Sequence, residues 1–348
     1  MRRRQPAEWR IIAGTVLLGG VTLVAVAAPA VAPNAPGDQF PDRAYAPPMP
    51  LRIRDANGFR APFVYRQVLD DRLTRRYRDD VTTPLPLRWF TGGSVVSLDA
   101  GSGPLLLLGA DALGRDVFSR LVHGARLSLG VTALGVAGAL LMGALVGSLA
   151  GSAGGSIETV LMLAADFLLV LPGTYLVLVL RGALPLVLST RDVFVLFSAL
   201  FALAAWPHAA RGVRAIVATE RQRDYAMAAR ASGATSWRLA CQLLPAARGF
   251  LGVEVMLLIP ALLVGEATVS YLGLGFPVPT ASLGTMLQDA ANVRMMREAP
   301  WLLAPALVLF LVMLGVQLLV WRSAPAIELL VGVRRVRPLP LTGGAAGR

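Results

Sequence analysis

Two acidic residues lie inside long apolar stretches of this sequence, where a charge is costly. Asp166 and Glu266 each stand among uncharged residues, and a buried acid at the centre of a membrane helix costs about 3 kcal/mol on insertion scales. Such acids carry protons, take part in gating or accept structural hydrogen bonds. Pro172 interrupts the stretch that holds Asp166. We treat these three residues as candidates for a membrane path or gate, and for Glu266 gating and a structural hydrogen bond both remain open.

No other residues form a pattern typical of catalysis. All 33 basic residues are arginine, so the sequence lacks the lysine that a nucleotide-binding phosphate loop requires. The single Cys241 excludes an internal disulfide and a cysteine cluster, and His123 and His208 lie far apart. We therefore expect no catalytic residue, no metal site and no cofactor in this chain. If ATP drives the protein, a separate subunit hydrolyses it.

The apolar stretches indicate a protein that crosses a membrane several times. Hydrophobic residues make up 55% of the 348 residues and charged residues 16%, which is too apolar for an ordinary soluble protein. A span needs about 20 apolar residues. Six runs satisfy this: 11–32, 127–150, 157–180, 193–210, 250–272 and 301–321. The net charge of +12 does not indicate nucleic-acid binding, because the arginines are scattered without an aromatic stacking surface.

The distribution of arginine predicts the orientation. Residues 1–10, 211–248 and 322–348 together hold sixteen arginines and four acids, which places them in the cytoplasm by the positive-inside rule. We expect a multi-pass protein of the bacterial inner membrane with both termini inside. A cleavable signal peptide is an alternative for the first run, because residues 27–32 at its end offer small-residue cleavage sites after a basic start.

The segment 33–108 is too polar to span and is expected outside the membrane. Residues 51–55 and 59–65 flank Asn57-Gly58, and residues 87–91 and 95–98 flank Gly92-Gly93; both patterns predict hairpins. Residues 68–78 have the apolar spacing of a short helix. We expect a small mixed α/β insertion, either a lid or a contact surface for a soluble partner.

A glycine series in the second run predicts close helix packing. Gly143, Gly147 and Gly151 recur every four residues, so they share one helical face. Another helix backbone can approach this face closely.

Residues 109–129 form a charged motif just before the second span. Gly114 permits a tight turn, and the arginines and acids around it offer charge pairs at the outer face, or a solvated charged rim. The motif resembles a signature of permeases in the oligopeptide, dipeptide and nickel ABC importer family. The matching residues are Gly109, Asp111, Gly114, Arg115, Asp116, Ser119, Arg120, Gly124 and Arg126.

The cytoplasmic loop contains a second motif. Residues 225–232 predict a short helix with small side chains, Gly233 ends it, and residues 236–244 predict another helix before Pro245. The loop resembles the EAA motif of ABC import permeases, with Met227 in place of the glutamate. The resemblance implies that the loop docks on the ATPase; a basic loop resting on anionic lipid is the alternative. The implied coupling residues are Asp224, Tyr225, Ala228, Ala229, Gly233, Leu244 and Pro245.

A third match covers residues 265–284, and the resemblance as a whole covers about 109–330. It implies an all-α polytopic fold with about six transmembrane helices. The expected divisions are a first helix within 1–32, the insertion 33–108, a permease core 109–330 with its coupling loop 211–248, and a tail 331–348. The implied partners are a second permease subunit, two ATP-binding subunits, an extracytoplasmic solute-binding protein and the lipid membrane.

The resemblance implies import of short peptides, with nickel chelates or other small polar solutes as the next choice. A proton-coupled secondary transporter, using Asp166 and Glu266 as carriers, belongs to a different class. A membrane assembly scaffold is a third possibility and predicts no substrate flux.

Overall fold

The computed structural model describes residues 7–55, 58–71, 75–91, 93–99, 101–170, 188–291 and 297–330, with 175, 179 and 182. The long helices are α1 (Ala7–Val26), α3 (Val117–Ala153), α4 (Gly155–Val170), α5 (Thr190–Glu220), α8 (Arg248–Tyr271) and α10 (Ala304–Leu330). The short helices are α2 (Ala28–Val31), α6 (Asp224–Ala231), α7 (Ser236–Leu243) and α9 (Leu283–Asp289). The strands are β1 (Arg52–Asp55), β2 (Gly58–Asp71), β3 (Arg76–Pro86), β4 (Arg88–Thr91) and β5 (Ser94–Ser97).

Five helical stretches among the described residues are long and apolar enough to cross a membrane. They are Trp9–Val26, Val117–Ala153, Thr190–Glu220, Ser236–Tyr271 and Pro300–Val320. They correspond to five of the six predicted spans, and the fold is a helical membrane bundle as expected.

The remaining predicted span, 157–180, is described only in its first part. Helix α4 covers 16 residues and ends at Val170, which is shorter than a membrane crossing requires. Pro172 lies outside the described residues. The sixth span therefore stays a prediction.

Helices α3 and α5 pack along each other through the predicted glycine face. A Cβ atom added at Gly143 would lie 2.4 Å from the Cβ of Ala209, and one at Gly147 would lie 2.5 Å from the carbonyl oxygen of Ala210. Only glycine permits this approach of the two backbones. Because α3 has 37 residues, it is about 55 Å long at 1.5 Å per residue. Its first residue marks the "insertion end" of the bundle and its last residue marks the "loop end".

The polar insertion consists of antiparallel strands. Strands β1, β2 and β3 form one sheet, and β4 pairs with β5 in another. Asp55 lies opposite Gly58, and Thr91 lies opposite Ser94, so both predicted hairpins are confirmed.

The predicted helix over residues 68–78 is wrong. Val68 pairs with Arg78 and Leu69 with Tyr77 across the β2–β3 ladder. The apolar spacing fitted a helix locally, but strand pairing supplied partners that the helix would lack, and such tertiary context overrides a weak local pattern. The hydroxyl of Tyr77 also donates to the carbonyl of Ala44 at 2.8 Å, which fixes β3 against the segment that follows α2.

Candidate functional site

The loop end carries a pair of short helices joined by a glycine turn. Helix α6 ends at Ala231, and Gly233 follows in the left-handed region with φ +84°, a conformation that glycine adopts without strain. The side chain of Thr235 then accepts a hydrogen bond from the backbone N–H of Arg238 and caps α7. The helix–glycine–helix pattern predicted for this loop is confirmed.

Each helix of the pair buries one side on the spans. Ala226 of α6 and Leu239 and Leu243 of α7 are almost fully buried, in one cluster with Val213 and Val217 of α5. The loop is therefore packed on the bundle, since its apolar residues share a core with the end of a spanning helix.

The opposite side of the pair is exposed and partly apolar. Tyr225, Met227 and Trp237 each expose about half of their surface, at 54%, 50% and 55%. Ala228, which follows Met227 in α6, is also exposed. Exposed aromatic and methionine side chains are typical of surfaces that bind another protein. We call Tyr225, Met227, Ala228 and Trp237 the "docking face". Trp237 was missed by the sequence reasoning, although its position in a polar helix beside the motif is a signal.

One polar contact orients the docking face. The hydroxyl of Tyr225 donates to a carboxylate oxygen of Glu220 at 2.8 Å, and Arg223 pairs with the same carboxylate. The hydrogen bond to Glu220 raises the pKa of Tyr225, so this residue stays a neutral phenol at physiological pH.

The helix pair is also attached to the far end of α3. The buried hydroxyl of Ser152 donates to the carbonyl of Ser236 at 3.0 Å, and the guanidinium of Arg221 lies beside Gly154 at the end of α3. Helix α7 is therefore attached to α3 as well as to α5.

At the insertion end, Asp116 caps the first turn of α3. Its carboxylate accepts hydrogen bonds from the backbone N–H groups of Phe118 and Ser119 and from the side chain of Asn34, at 3.0 to 3.2 Å. The side chain of Ser119 donates to the same carboxylate at 2.5 Å. Burial raises the pKa of Asp116, and the hydrogen bonds oppose that shift. Since Asn34 follows α2, the cap also holds the first residues of the insertion against the start of α3.

A buried ion network lies next to this cap. Asp111 accepts from the Nε of Arg115 at 2.6 Å and lies 3.5 Å from the Nε of Arg120. Asp289, at the end of α9, accepts from both arginines at 3.1 and 3.2 Å. Asp111, Arg115 and Arg120 are nearly inaccessible to solvent. Three motif residues are thus brought together in the protein interior rather than on a solvated rim, and Asp289 was missed because it lies more than 160 residues away.

The glycines of the motif stand at points of close approach. A Cβ at Gly114 would lie 1.9 Å from the carbonyl oxygen of Phe40, and one at Gly109 would lie 2.7 Å from that of Ala46. Both have positive φ angles. Gly124 faces the backbone of Ser282. Arg126, in contrast, is exposed.

Glu266 lies buried near the insertion end of α8. One carboxylate oxygen accepts from Ser270 at 2.7 Å, and the other has no hydrogen-bond partner among the described residues. The hydroxyls of Ser128 in α3 and Ser282 before α9 also lie beside this carboxyl group. Glu266 therefore joins α8 to α3 and to the segment that begins α9.

Asp166 is in a different environment. Its carboxylate pairs with Arg211 of α5, with 3.0 Å between Nε and Oδ1, and about half of each side chain is exposed. Arg214, about one turn after Arg211 in α5, pairs with Glu158, about two turns before Asp166 in α4. These pairs tie α4 to α5, and Asp166 does not meet Glu266 in a shared site.

Apart from Asp166, whose side chain lies between α4 and α5, and Pro172, which lies outside the described residues, the predicted residues form two groups at opposite ends of α3. The motif residues and Glu266 gather at the insertion end, and the coupling residues gather at the loop end. Within the described part of the chain, no group of three or more histidine, cysteine, aspartate or glutamate residues has the arrangement of a metal site.

Comparison with known proteins agrees with this arrangement. The family described as "Binding-protein-dependent transport system inner membrane component" matches residues 143–328. The oligopeptide transport system permease protein OppC of Bacillus subtilis is 36% identical over 212 residues, which cover 60% of this chain and 66% of that protein. The di/tripeptide transport system permease protein DppC of Pseudomonas aeruginosa is 34% identical over 250 residues, covering 71% and 76%. The dipeptide transport system permease protein DppC of Haemophilus influenzae is 30% identical over 237 residues, covering 68% and 75%.

The apolar spans together with the family match define the class of this protein, a membrane transport permease. The chain belongs to the family of binding-protein-dependent transport system inner membrane components, the permease subunits of ABC importers. Permeases of this family are non-catalytic, multi-span proteins of the bacterial inner membrane.

Proposed function

We propose that this chain forms part of the path for short peptides in an ATP-driven importer. A second permease subunit completes the path, two ATP-binding subunits drive it, and an extracytoplasmic binding protein delivers the peptide. The observation that carries the proposal is the docking face, which is exposed on one side of a helix pair whose other side is anchored on α3 and α5.

The geometry supports a mechanical role for the loop. The helix pair lies between α5 and α8 in the chain, and a single 3₁₀ turn, Leu244–Ala247, connects α7 to α8. The turn contains Pro245, whose backbone φ angle is fixed, and α8 follows it directly. We therefore expect the loop and the span to move together. An ATPase that binds the docking face therefore acts on three spans at once.

The docking face makes its contact through packing rather than through a salt bridge. Met227 occupies the position at which related motifs have glutamate, and its side chain is half exposed. Tyr225 and Trp237 supply the remaining apolar surface. We infer a partner groove that is apolar at its centre, because exposed apolar side chains gain most from burial in such a groove.

The proposed substrate is a short peptide. The relatives are permeases of oligopeptide, dipeptide and di/tripeptide transport systems, and the similarity extends over 60% to 71% of this chain. Uptake by proteoliposomes tests this proposal. They would contain this chain, a second permease and both ATPases, with the binding protein on the outer side. Radiolabelled di- and tripeptides should accumulate only with ATP, and accumulation that persists without the ATPases but needs a proton gradient would contradict it.

The proposed orientation places the loop end in the cytoplasm and the strands outside. The chain provides its own probe, because Cys241 is exposed in α7 at the loop end. Phe59, which is 84% exposed in β2, is the matched position at the insertion end. A membrane-impermeant maleimide applied to intact spheroplasts should label Phe59→Cys in a Cys241→Ser background and leave wild-type Cys241 unlabelled. The reverse labelling would contradict the orientation.

A further inference from the structure

A cavity of about 680 Å³ opens at the insertion end between α1, α3 and the start of α5. Its wall is mostly apolar and includes Ala25, Leu127 and Phe194. The volume lies within the range of about 300 to 1,000 Å³ that is typical of ligand sites. The coupling mechanism proposed above does not use this cavity.

The polar groups of the cavity are all neutral or basic. Arg126 and His123 line it, and no acidic residue does so among the described residues. Arg126 is exposed and has no ion-pair partner in the described part of the chain. His123 donates from Nδ1 to the carbonyl of Ser119 at 2.9 Å, so Nε2 is its remaining polar atom. A ligand of this cavity therefore gains from a negative charge close to Arg126.

The depth of Arg126 identifies the kind of anion. It is the last charged residue before the apolar part of α3, which continues without charge from Leu127 to Ala153. That part is about 40 Å long, somewhat more than the hydrocarbon thickness of about 30 Å. Arg126 therefore lies at the level of lipid phosphate groups, and the apolar wall lies at and below that level.

We propose that this cavity binds one anionic phospholipid. The phosphate group contacts Arg126, and an acyl chain fills the apolar cavity against Phe194. A phospholipid carries its charged phosphate group beside its apolar chains, as Arg126 lies beside the apolar wall of the cavity. A helix of another protein would need an acidic side chain at this same depth.

Native mass spectrometry of the purified full-length chain tests the proposal. The protein is titrated with phosphatidylglycerol and with phosphatidylcholine that have the same acyl chains. We expect the wild type to bind one molecule of phosphatidylglycerol more tightly than phosphatidylcholine. Arg126→Gln should weaken the binding of phosphatidylglycerol about fivefold, because one interfacial arginine contributes about 1 kcal/mol. Arg126→Lys should retain most of the binding. Ala133→Trp, which fills the cavity from α3, should reduce the binding of both lipids.

Arg191→Gln is the matched control. Arg191 is an exposed arginine in the first turn of α5, at the same end of the bundle, and it does not line the cavity. Equal losses for Arg191→Gln and Arg126→Gln would overturn the proposal, as would equal binding of the two lipids to the wild type. A wild-type lipid preference that survives Ala133→Trp, together with lost co-purification of a second permease subunit, would assign the cavity to that protein instead. A melting temperature for each variant ensures that only folded protein is compared.

Discussion

Ser152, in the last turn of α3, donates a hydrogen bond to the backbone carbonyl oxygen of Ser236 in α7, with 3.0 Å between the two oxygens. Ser152 is fully buried. This contact connects the loop that carries the docking face to a helix that begins about 55 Å away at the insertion end. It gives the loop a second attachment besides its covalent links to α5 and α8.

Ser152→Ala should weaken the coupling of ATP hydrolysis to uptake. Loss of one such hydrogen bond costs about 1 kcal/mol, so we expect about twofold to fivefold fewer peptides imported per ATP hydrolysed. Ser148→Ala is the control, because Ser148 is also buried one turn earlier but, among the residues that the structure describes, its hydroxyl bonds only to the carbonyl of Leu145 within α3. Equal ratios of transport to hydrolysis in the two variants would show that the Ser152–Ser236 contact does not couple.

Asp111→Asn should destabilise the protein by about 3 kcal/mol, because it leaves Arg115 and Arg120 buried with one carboxylate fewer. Asp99→Asn is the control. Asp99 pairs with Arg88 at the surface, where about half of each side chain is exposed, and its loss should cost less than about 1 kcal/mol. Thermal unfolding in detergent gives the comparison. Equal losses in the two variants would mean that burial of the network adds no stability.

Gly147→Ala should separate α3 from α5. Its new Cβ would meet the carbonyl oxygen of Ala210 at 2.5 Å, and overpacking of this kind costs about 1 to 3 kcal/mol. At Gly252 of α8 a Cβ would meet nothing within 4 Å, so Gly252→Ala should be neutral or stabilising by up to about 1 kcal/mol. Thermal unfolding should show a lower melting temperature for Gly147→Ala and an unchanged or higher one for Gly252→Ala, and a stabilised Gly147→Ala would contradict the packing.

Glu266→Gln separates a structural role from proton transfer. Glutamine keeps the acceptor that Ser270 uses, and its amide can donate to the neighbouring serine hydroxyls, so ATP-driven uptake should remain within about twofold of the wild type. Glu266→Leu removes the acceptor and should lower the melting temperature. Abolished uptake in a stable Glu266→Gln protein would instead support a proton carrier.

Local patterns were sufficient for most of the helices and for both hairpins. Long apolar runs give spans because the bilayer sets their length, and Gly233 ends α6 because of its conformational freedom. Patterns within one segment do not reveal partners elsewhere in the chain. The β2–β3 ladder replaced the helix predicted for 68–78 for that reason.

In the candidate site, too, local patterns did not reveal the partners that come from distant parts of the chain. The charged motif was visible as a row of residues, but Asp289, which completes its ion network, lies 174 residues from Arg115. The serines around Glu266 come from three separate parts of the chain, α3, α8 and the residue that caps α9. The docking face was only partly predicted, since the small residues of α6 were recognised and Trp237 in α7 was not.

Co-purification of the ATPase with Ala228→Trp tests the account most directly. Ala228 lies exposed in the middle of the docking face, and a tryptophan there fits α6 without backbone strain but prevents close approach of a partner. Ala61→Trp, at an exposed position in β2 at the opposite end, is the control. We predict that Ala228→Trp reaches the membrane normally, binds the ATPase at least about tenfold more weakly and loses ATP-driven uptake, while Ala61→Trp binds like the wild type. Wild-type ATPase binding and uptake in Ala228→Trp would contradict the assignment of this loop as the docking element.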